Sequence, residues 1–220
     1  MIQLRLFLAV SALILLKPLV YGQQKDSLDN QYKWAARLNP MALLDPFDLH
    51  LNVGAEHRYH PSWSVAAEVS TYLVSGYYNS VKKTRGYMFR PSLRFYPRPS
   101  GKMYFDAELF YKKVNYSFTD WLGKAARNGV PAYEEFTDFT LQKSVMGGHL
   151  KIGRQSYLIS DKRWRAELFV GLGVRNKKER IREDPHAVYT PGNLFFFDPD
   201  FDPSLQLSGT MGFRIVRMFY

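Results

Sequence analysis

The sequence predicts an all-β protein: an eight-stranded antiparallel up-and-down transmembrane β-barrel that follows a cleaved signal peptide. Three observations lead there. Beyond residue 33 apolar and polar side chains alternate with a period of two, turn residues interrupt the alternation at intervals, and the intervening connections are by turns short and long. No helical period is sustained.

The leader comes first. MIQLRLFLAVSALILLKPLVYG has a basic residue at Arg5, an apolar run from Leu6 to Leu16 and compact residues at Val20 and Gly22. That is the layout of a secretory signal peptide, with cleavage expected before Gln23. An apolar run broken by Lys17 and Pro18 falls short of the ~20 residues that span a bilayer as a helix, which disfavours a membrane anchor. The expected organisation is therefore a signal peptide at 1–22, a short periplasmic segment at 23–33 and one barrel domain at 34–220.

The chain contains no cysteine, which excludes a disulfide scaffold and a lipoprotein anchored through an N-terminal thiol. Its 46% hydrophobic and 16% aromatic residues are spread out, so packing and backbone pairing must hold it together. The formal net charge is +10. An exported chain has little access to nucleic acid, so the expected counter-charges are anionic lipid headgroups and lipopolysaccharide phosphates, and nucleic acid is not an expected partner.

The strands follow in order. A first strand is expected over about Trp34 to Leu44, ending at the LDPF stretch. FDLHLNVGAEHR sets Phe47, Leu49, Leu51, Val53 and Ala55 against Asp48, His50, Asn52, Glu56 and Arg58. WSVAAEVSTYL, GYMFRPSLRFY and MYFDAELFYKK repeat this two-faced pattern from Trp63, Gly86 and Met103. The sixth strand, roughly Phe139 to Gln155, is less regular. Leu141 and Val145 are out of phase with Met146, Leu150 and Ile152, which predicts a bulge near Ser144. WRAELFVGLGVR and LQLSGTMGFRI supply the last two, and the closing strand is expected to end near Ile215 or Arg217, with Phe219 and Tyr220 at the periplasmic headgroup level.

The connections RYHPS, PRPSGK and QSYLISDK are short, whereas Val74 to Arg85, Ser117 to Asp138 and Asn176 to Pro203 are long. Transmembrane barrels have short periplasmic turns and long extracellular loops, and the order here matches. The polar face carries acids and bases in nearly equal number. Asp48, His50, Asn52, Glu56, Arg58, Glu68, Arg90, Arg94, Asp106, Glu108, Lys112, Arg165, Glu167, Arg175 and Arg214 are expected to form a polar network that fills a lumen too narrow for an open pore. Trp63, Tyr87, Phe95, Tyr111, Trp164 and Phe213 lie toward the ends of the apolar face, where rings meet headgroups. A soluble ligand-binding barrel would reverse the two faces, and it stands as an alternative.

Several stretches resemble a family of Bacteroidota outer-membrane barrels catalogued as domain of unknown function 3575. The likeness rests on LNPMALL (38–44), the Gly-Ala-Glu-His-Arg end at 54–58, HPSWSVAAEV (60–69), RGYMFRPSLRFYPRP (85–99) and Gly-Phe-Arg-Ile at 212–215, and it covers most of the mature chain. It implies a small barrel of the outer membrane, with a terminal aromatic strand read by the outer-membrane assembly machinery. It implies no reaction, and Val216 to Tyr220 extends past the family's usual stop.

Other chemistry is weaker. Asp48 and His50 near the rim offer a general base for a lipid or peptide hydrolase or acyltransferase, but no nucleophile can be assigned, and membership of the polar network is the plainer reading. His50 and His149 lack a third ligand for zinc. Asp198, Asp200 and Asp202 have a spacing that gathers calcium oxygens, yet the glycine and distal Glu of an EF-hand are missing, and the neighbouring prolines fit a plain turn. Lys82, Lys83 and Arg85 are candidate lipopolysaccharide contacts, and Lys177, Lys178, Arg180 and Arg182 form a second basic group with Glu179, Glu183 and Asp184 interleaved. No cofactor, metal or reaction is assigned, and protein partners are left open.

Overall fold

Each alternating stretch forms a strand. The computed structural model describes residues 32–43, 48–75, 81–97, 102–126, 130–158, 163–184, 186–189 and 205–219. Its strands are β1 (Trp34–Leu38), β2 (Asp48–His60), β3 (Trp63–Ser75), β4 (Val81–Phe95), β5 (Met103–Lys124), β6 (Tyr133–Tyr157), β7 (Trp164–Ile181) and β8 (Gln206–Phe219). They form one closed antiparallel barrel in chain order, sealed by β1 against β8. Among the described residues no helix is long and apolar enough to cross a membrane. The leader, Phe47, Tyr220 and the Asp198, Asp200 and Asp202 triplet lie outside the described residues.

Alternation sorts the side chains by face. On β5 Met103, Phe105, Ala107, Leu109 and Tyr111 point outward and are exposed, while Tyr104, Asp106 and Glu108 point inward and are buried. The same division holds on β3, where Val65, Val69 and Leu73 are exposed and Ser64, Glu68 and Tyr72 are buried. The outside of the wall is thus apolar and its inside polar.

Four sequence expectations are corrected. The first strand stops at Leu38, because Pro40, with no N–H to give to a ladder, opens a single 3-10 turn over Pro40–Leu43. Asn39 N still donates to Asn52 O at 3.1 Å, so the turn packs on β2 above the short first strand. No bulge occurs near Ser144: β5 and β6 pair without interruption from Met103↔Arg154 to Lys124↔Tyr133. Leu141 and Val145 keep the regular phase and face inward, where the upper interior is apolar.

The long connections are the third correction, since part of each is strand. β4 begins at Val81, the β5–β6 hairpin extends to Lys124 and Tyr133, and β7 runs to Ile181. Finally, the closing strand continues to Phe219, which pairs with Trp34. Val216 and Met218 face inward, where they form a small apolar cluster with Tyr32 and Ala35 at the lower rim. Arg217 points outward there, its guanidinium 5.4 Å from the Trp164 ring and 5.6 Å from the Phe219 ring.

Two inward glycines give the narrow lumen its room. Tyr104, Gly153, Phe169 and Gly212 lie opposite one another in one row across β5, β6, β7 and β8. A Cβ at Gly153 would collide with the Tyr104 ring, and one at Gly212 would stand 2.6 Å from Phe169 Cζ. Each ring lies over the neighbouring strand's glycine. Gly153→Ala is expected to cost roughly 1–3 kcal/mol by overpacking. In a Tyr104→Ala background the same change should be nearly neutral, and a double-mutant cycle on urea midpoints in micelles checks the coupling.

Candidate functional site

The chemistry of this chain is concentrated inside the barrel, in three levels. At the lower rim Arg58 and Arg165 lie among aromatic rings. Arg58 Cζ is 4.1 Å from the Tyr96 ring centroid and Arg165 Cζ is 4.9 Å from that of Tyr32, and Arg58 Nη2 also donates to the Pro61 carbonyl. A delocalised guanidinium suits this setting better than an ammonium, because it stacks and is weakly hydrated.

The middle level is an ion network around Arg94. Its Nη1 donates to Glu167 Oε1 at 2.7 Å and its Nη2 to Glu167 Oε2 at 3.1 Å, a two-pronged pair. Nη2 also reaches Asp106 Oδ2 at 3.3 Å, Nη1 lies 3.6 Å from Glu56 Oε2, and the guanidinium sits 3.6 Å above the Tyr104 ring. Glu56 accepts from Arg37 Nη2 at 2.5 Å, Ser64 Oγ at 2.5 Å and Tyr96 OH at 2.7 Å. Glu68 is ion-paired with Arg214, whose Nε lies 2.8 Å away, and with Arg90, whose Nη2 lies 3.1 Å away. Glu108 pairs with Lys151 Nζ and lies 3.6 Å from His149 Nδ1.

The upper level holds Asp48. Its carboxylate accepts from Lys112 Nζ at 2.5 Å, Ser75 Oγ at 2.6 Å and Tyr116 OH at 3.4 Å. His50 Nδ1–H donates to the Asp48 backbone carbonyl at 2.7 Å, and its ring packs against Tyr72 at 4.9 Å. Above this Val114, Tyr116, Phe118, Leu122, Phe139, Leu141 and Ile181 are buried together as an apolar cluster, beside the inward Lys143 and Glu179. Tyr189 packs on Phe118 and Phe139 and donates its hydroxyl to Asp120 Oδ2 at 2.9 Å. Burial, then that carboxylate, push its phenol above the ordinary tyrosine range, so it remains a donor.

Of the sequence-derived network, Asp48, His50, Asn52, Glu56, Arg58, Glu68, Arg90, Arg94, Asp106, Glu108, Arg165, Glu167 and Arg214 are buried inside. Asn52 Nδ2 donates to Ser70 Oγ at 2.8 Å. Lys112 joins at its upper edge. Arg175 does not lie within it: it is exposed at the upper rim, with Nε donating to Gln206 Oε1 at 3.2 Å. Arg37, Lys151, Tyr96 and Ser64 were not anticipated. Lys151 was legible in principle, since it stands at an inward phase between outward Leu150 and Ile152.

His149 Nε2 is 3.0 Å from Ser208 Oγ, while His50 is engaged at the other level. Among the described residues no group of three or more His, Cys, Asp or Glu is placed to hold a metal ion. Lys82, Lys83 and Arg85 sit in β4, and Lys177, Lys178 and Arg180 in β7, with Arg182 just beyond. All but Arg182 are strand residues of the upper wall.

Comparison of the chain with protein-family models and with curated proteins finds no match. Among the described residues the interior carboxylates lie against guanidinium, ammonium and hydroxyl groups.

Removing one member of a buried ion network strands the rest. Arg94→Ala leaves Glu167, Asp106 and Glu56 facing one another, and a loss of about 3–5 kcal/mol is expected in urea unfolding in micelles. Arg90→Ala should cost less, because Arg214 remains on Glu68. Equal losses for the two variants would contradict the central place of Arg94.

Proposed function

We propose that the chain is an exported outer-membrane β-barrel with a filled, non-conducting interior and a structural or surface-interaction role. One observation carries this reading: charges are buried inside the closed wall while large apolar side chains are exposed outside it. Leu109, Leu150, Leu172 and Leu207 are 67%, 73%, 75% and 90% exposed. A soluble barrel would expose the opposite face, and soluble monomers rarely show so continuous an apolar surface.

The dimensions agree. Outward apolar residues run from Met103 to Tyr111 on β5 and from Trp164 to Val174 on β7, within the ~9–11 residues that a tilted strand needs to cross hydrocarbon. Aromatic rings mark the lower edge, where Trp63 and Phe95 lie 4.8 Å apart, and the upper edge, where Tyr87 and Tyr111 lie 6.2 Å apart. The leader reading and the resemblance to domain of unknown function 3575 support the same placement, with β8 as the strand offered to the assembly machinery.

Surface interaction is supported by the β5–β6 hairpin, whose outward side exposes Trp121 and Phe136 in an edge-on pair 5.6 Å apart, near Tyr133. Outer-membrane lipid and lipopolysaccharide are the proposed surroundings. A rim-located enzyme using Asp48 and His50 is less supported, because the Asp48 carboxylate is bound by Lys112 and Ser75.

Outer-membrane fractionation with heat-modifiable migration in detergent gels is the deciding experiment, and recovery as soluble periplasmic protein would sink the proposal. In planar bilayers the purified chain is expected to give no large, stable conductance. A steady open pore would show the lumen to be less filled than its ion network implies.

A further inference from the structure

The upper outer wall carries a feature that barrel closure does not require. Arg85 on β4, Lys113 on β5 and Arg180 with Arg182 at the end of β7 line one groove of about 700 Å³, together with Asn115 and Gln142. Among the described residues no carboxylate lines it. The register brings them together: Arg85 lies opposite Asn115, Asn115 opposite Gln142, and Gln142 opposite Arg180, so four strands contribute one outward row.

The row is internally braced. Arg180 Nε donates to Gln142 Oε1 at 2.8 Å, and Gln142 Nε2 donates to Asn115 Oδ1 at 3.0 Å. Gln142 is only 8% exposed, so it works as a fixed bracket that holds the guanidinium of Arg180 against the wall. The amide groups satisfy each other and the remaining N–H groups of the arginine stay available. On the inner face of the same two strands, by contrast, Lys143 and Lys177 share Glu179 at 3.4 Å and 3.2 Å. Basic residues are neutralised within the protein on one side of this sheet, and among the described residues no carboxylate pairs with the four cations on the other.

We propose that this groove binds the phosphorylated saccharide headgroup of an outer-leaflet glycolipid, with its phosphates on the arginines and its acyl chains lying along Phe89, Leu109 and Met146. The proposal rests on the membrane placement given above. Position selects a lipid over a soluble anion, because the groove opens directly above the outward apolar band and Tyr87 of the aromatic ring is part of its lining. Chemistry selects phosphate: guanidinium groups bind it in two-pronged fashion, and clustered like charges in a concave surface concentrate anions. The four strands span roughly 14 Å at ~4.8 Å spacing, enough for a headgroup with more than one phosphate. Of the three residues Lys82, Lys83 and Arg85, Arg85 alone is in this lining, and Lys82 lies 3.8 Å from Asp138.

The test uses the full mature chain in micelles, titrated by native mass spectrometry with three probes: a bis-phosphorylated disaccharide glycolipid, its dephosphorylated form, and inorganic phosphate. The phosphorylated glycolipid is expected to bind at least tenfold more tightly than either other probe. Arg180→Ala/Arg182→Ala, and separately Arg85→Ala, should each lose most of that preference, while Lys178→Ala, outside the groove, should keep it. Heat-modifiable migration shows that each variant is folded. Equal binding of the two glycolipids, or equal loss in Lys178→Ala, overturns the proposal, and competition by inorganic phosphate at matching concentration overturns the choice of a lipid. Fractionation of the wild-type chain separates the two levels: recovery in the soluble fraction refutes the membrane reading, whereas membrane recovery without phosphate preference refutes this inference alone.

Discussion

Everything in this barrel depends on the neutralisation of charge around Arg94. A closed eight-stranded wall encloses a space that must be filled by side chains, and this sequence fills it with ionised groups. Charges withdrawn from water are tolerated only when each meets an opposite charge in good geometry. Arg94 meets Glu167, Asp106 and Glu56 from three different strands, so the guanidinium ties β4 to β2, β5 and β7 across the lumen. The strand register is therefore locked from within as well as by backbone pairing: a slip of one residue would turn these charges outward and bring leucines in.

This dependence explains what could be read from the chain and what could not. The eight strands and their faces follow from period-two alternation, since along Met103 to Tyr111 every second residue is apolar and outward. The alternation loses its meaning where the environment changes. From Lys112 upward much of the interior becomes apolar, so Val114, Phe118, Leu141 and Val145 face inward with side chains that suggest an outward phase, beside the inward Lys143 and Glu179. A constant register then looks like a bulge near Ser144. The same ambiguity holds at the lower rim, where apolar Val216 and Met218 face inward to Tyr32 and Ala35. Polarity identifies a face only while one face is reliably polar.

Membership of the ion network was legible by phase, but its pairing was not. Nothing local to Arg94 announces Glu167, which is distant in sequence and adjacent only after the sheet curls. Arg37 was hidden because its strand is short and carries two alanines, leaving little contrast between faces. The outer cationic row was seen as two separate basic groups, and only the four-strand register joins Arg85 to Arg180 through Asn115 and Gln142. Side chains that act along a strand can be found in one dimension; those that act across strands need the register.

The seam between β1 and β8 has a consequence for how the molecule assembles. It spans only Trp34 to Leu38, whereas the β5–β6 ladder runs without a break from Met103 to Lys124. The long ladder joins neighbours in sequence, and its loop-closure entropy is small; the seam joins the two ends of the domain, where that entropy is greatest and the backbone bonds that offset it are fewest. Folding should therefore proceed as a widening sheet that grows by hairpins and closes last at this joint. Under load the same joint is where the wall would first part, and the 3-10 turn at Pro40–Leu43 lies beside it, held to β2 where Asn39 N donates to Asn52 O.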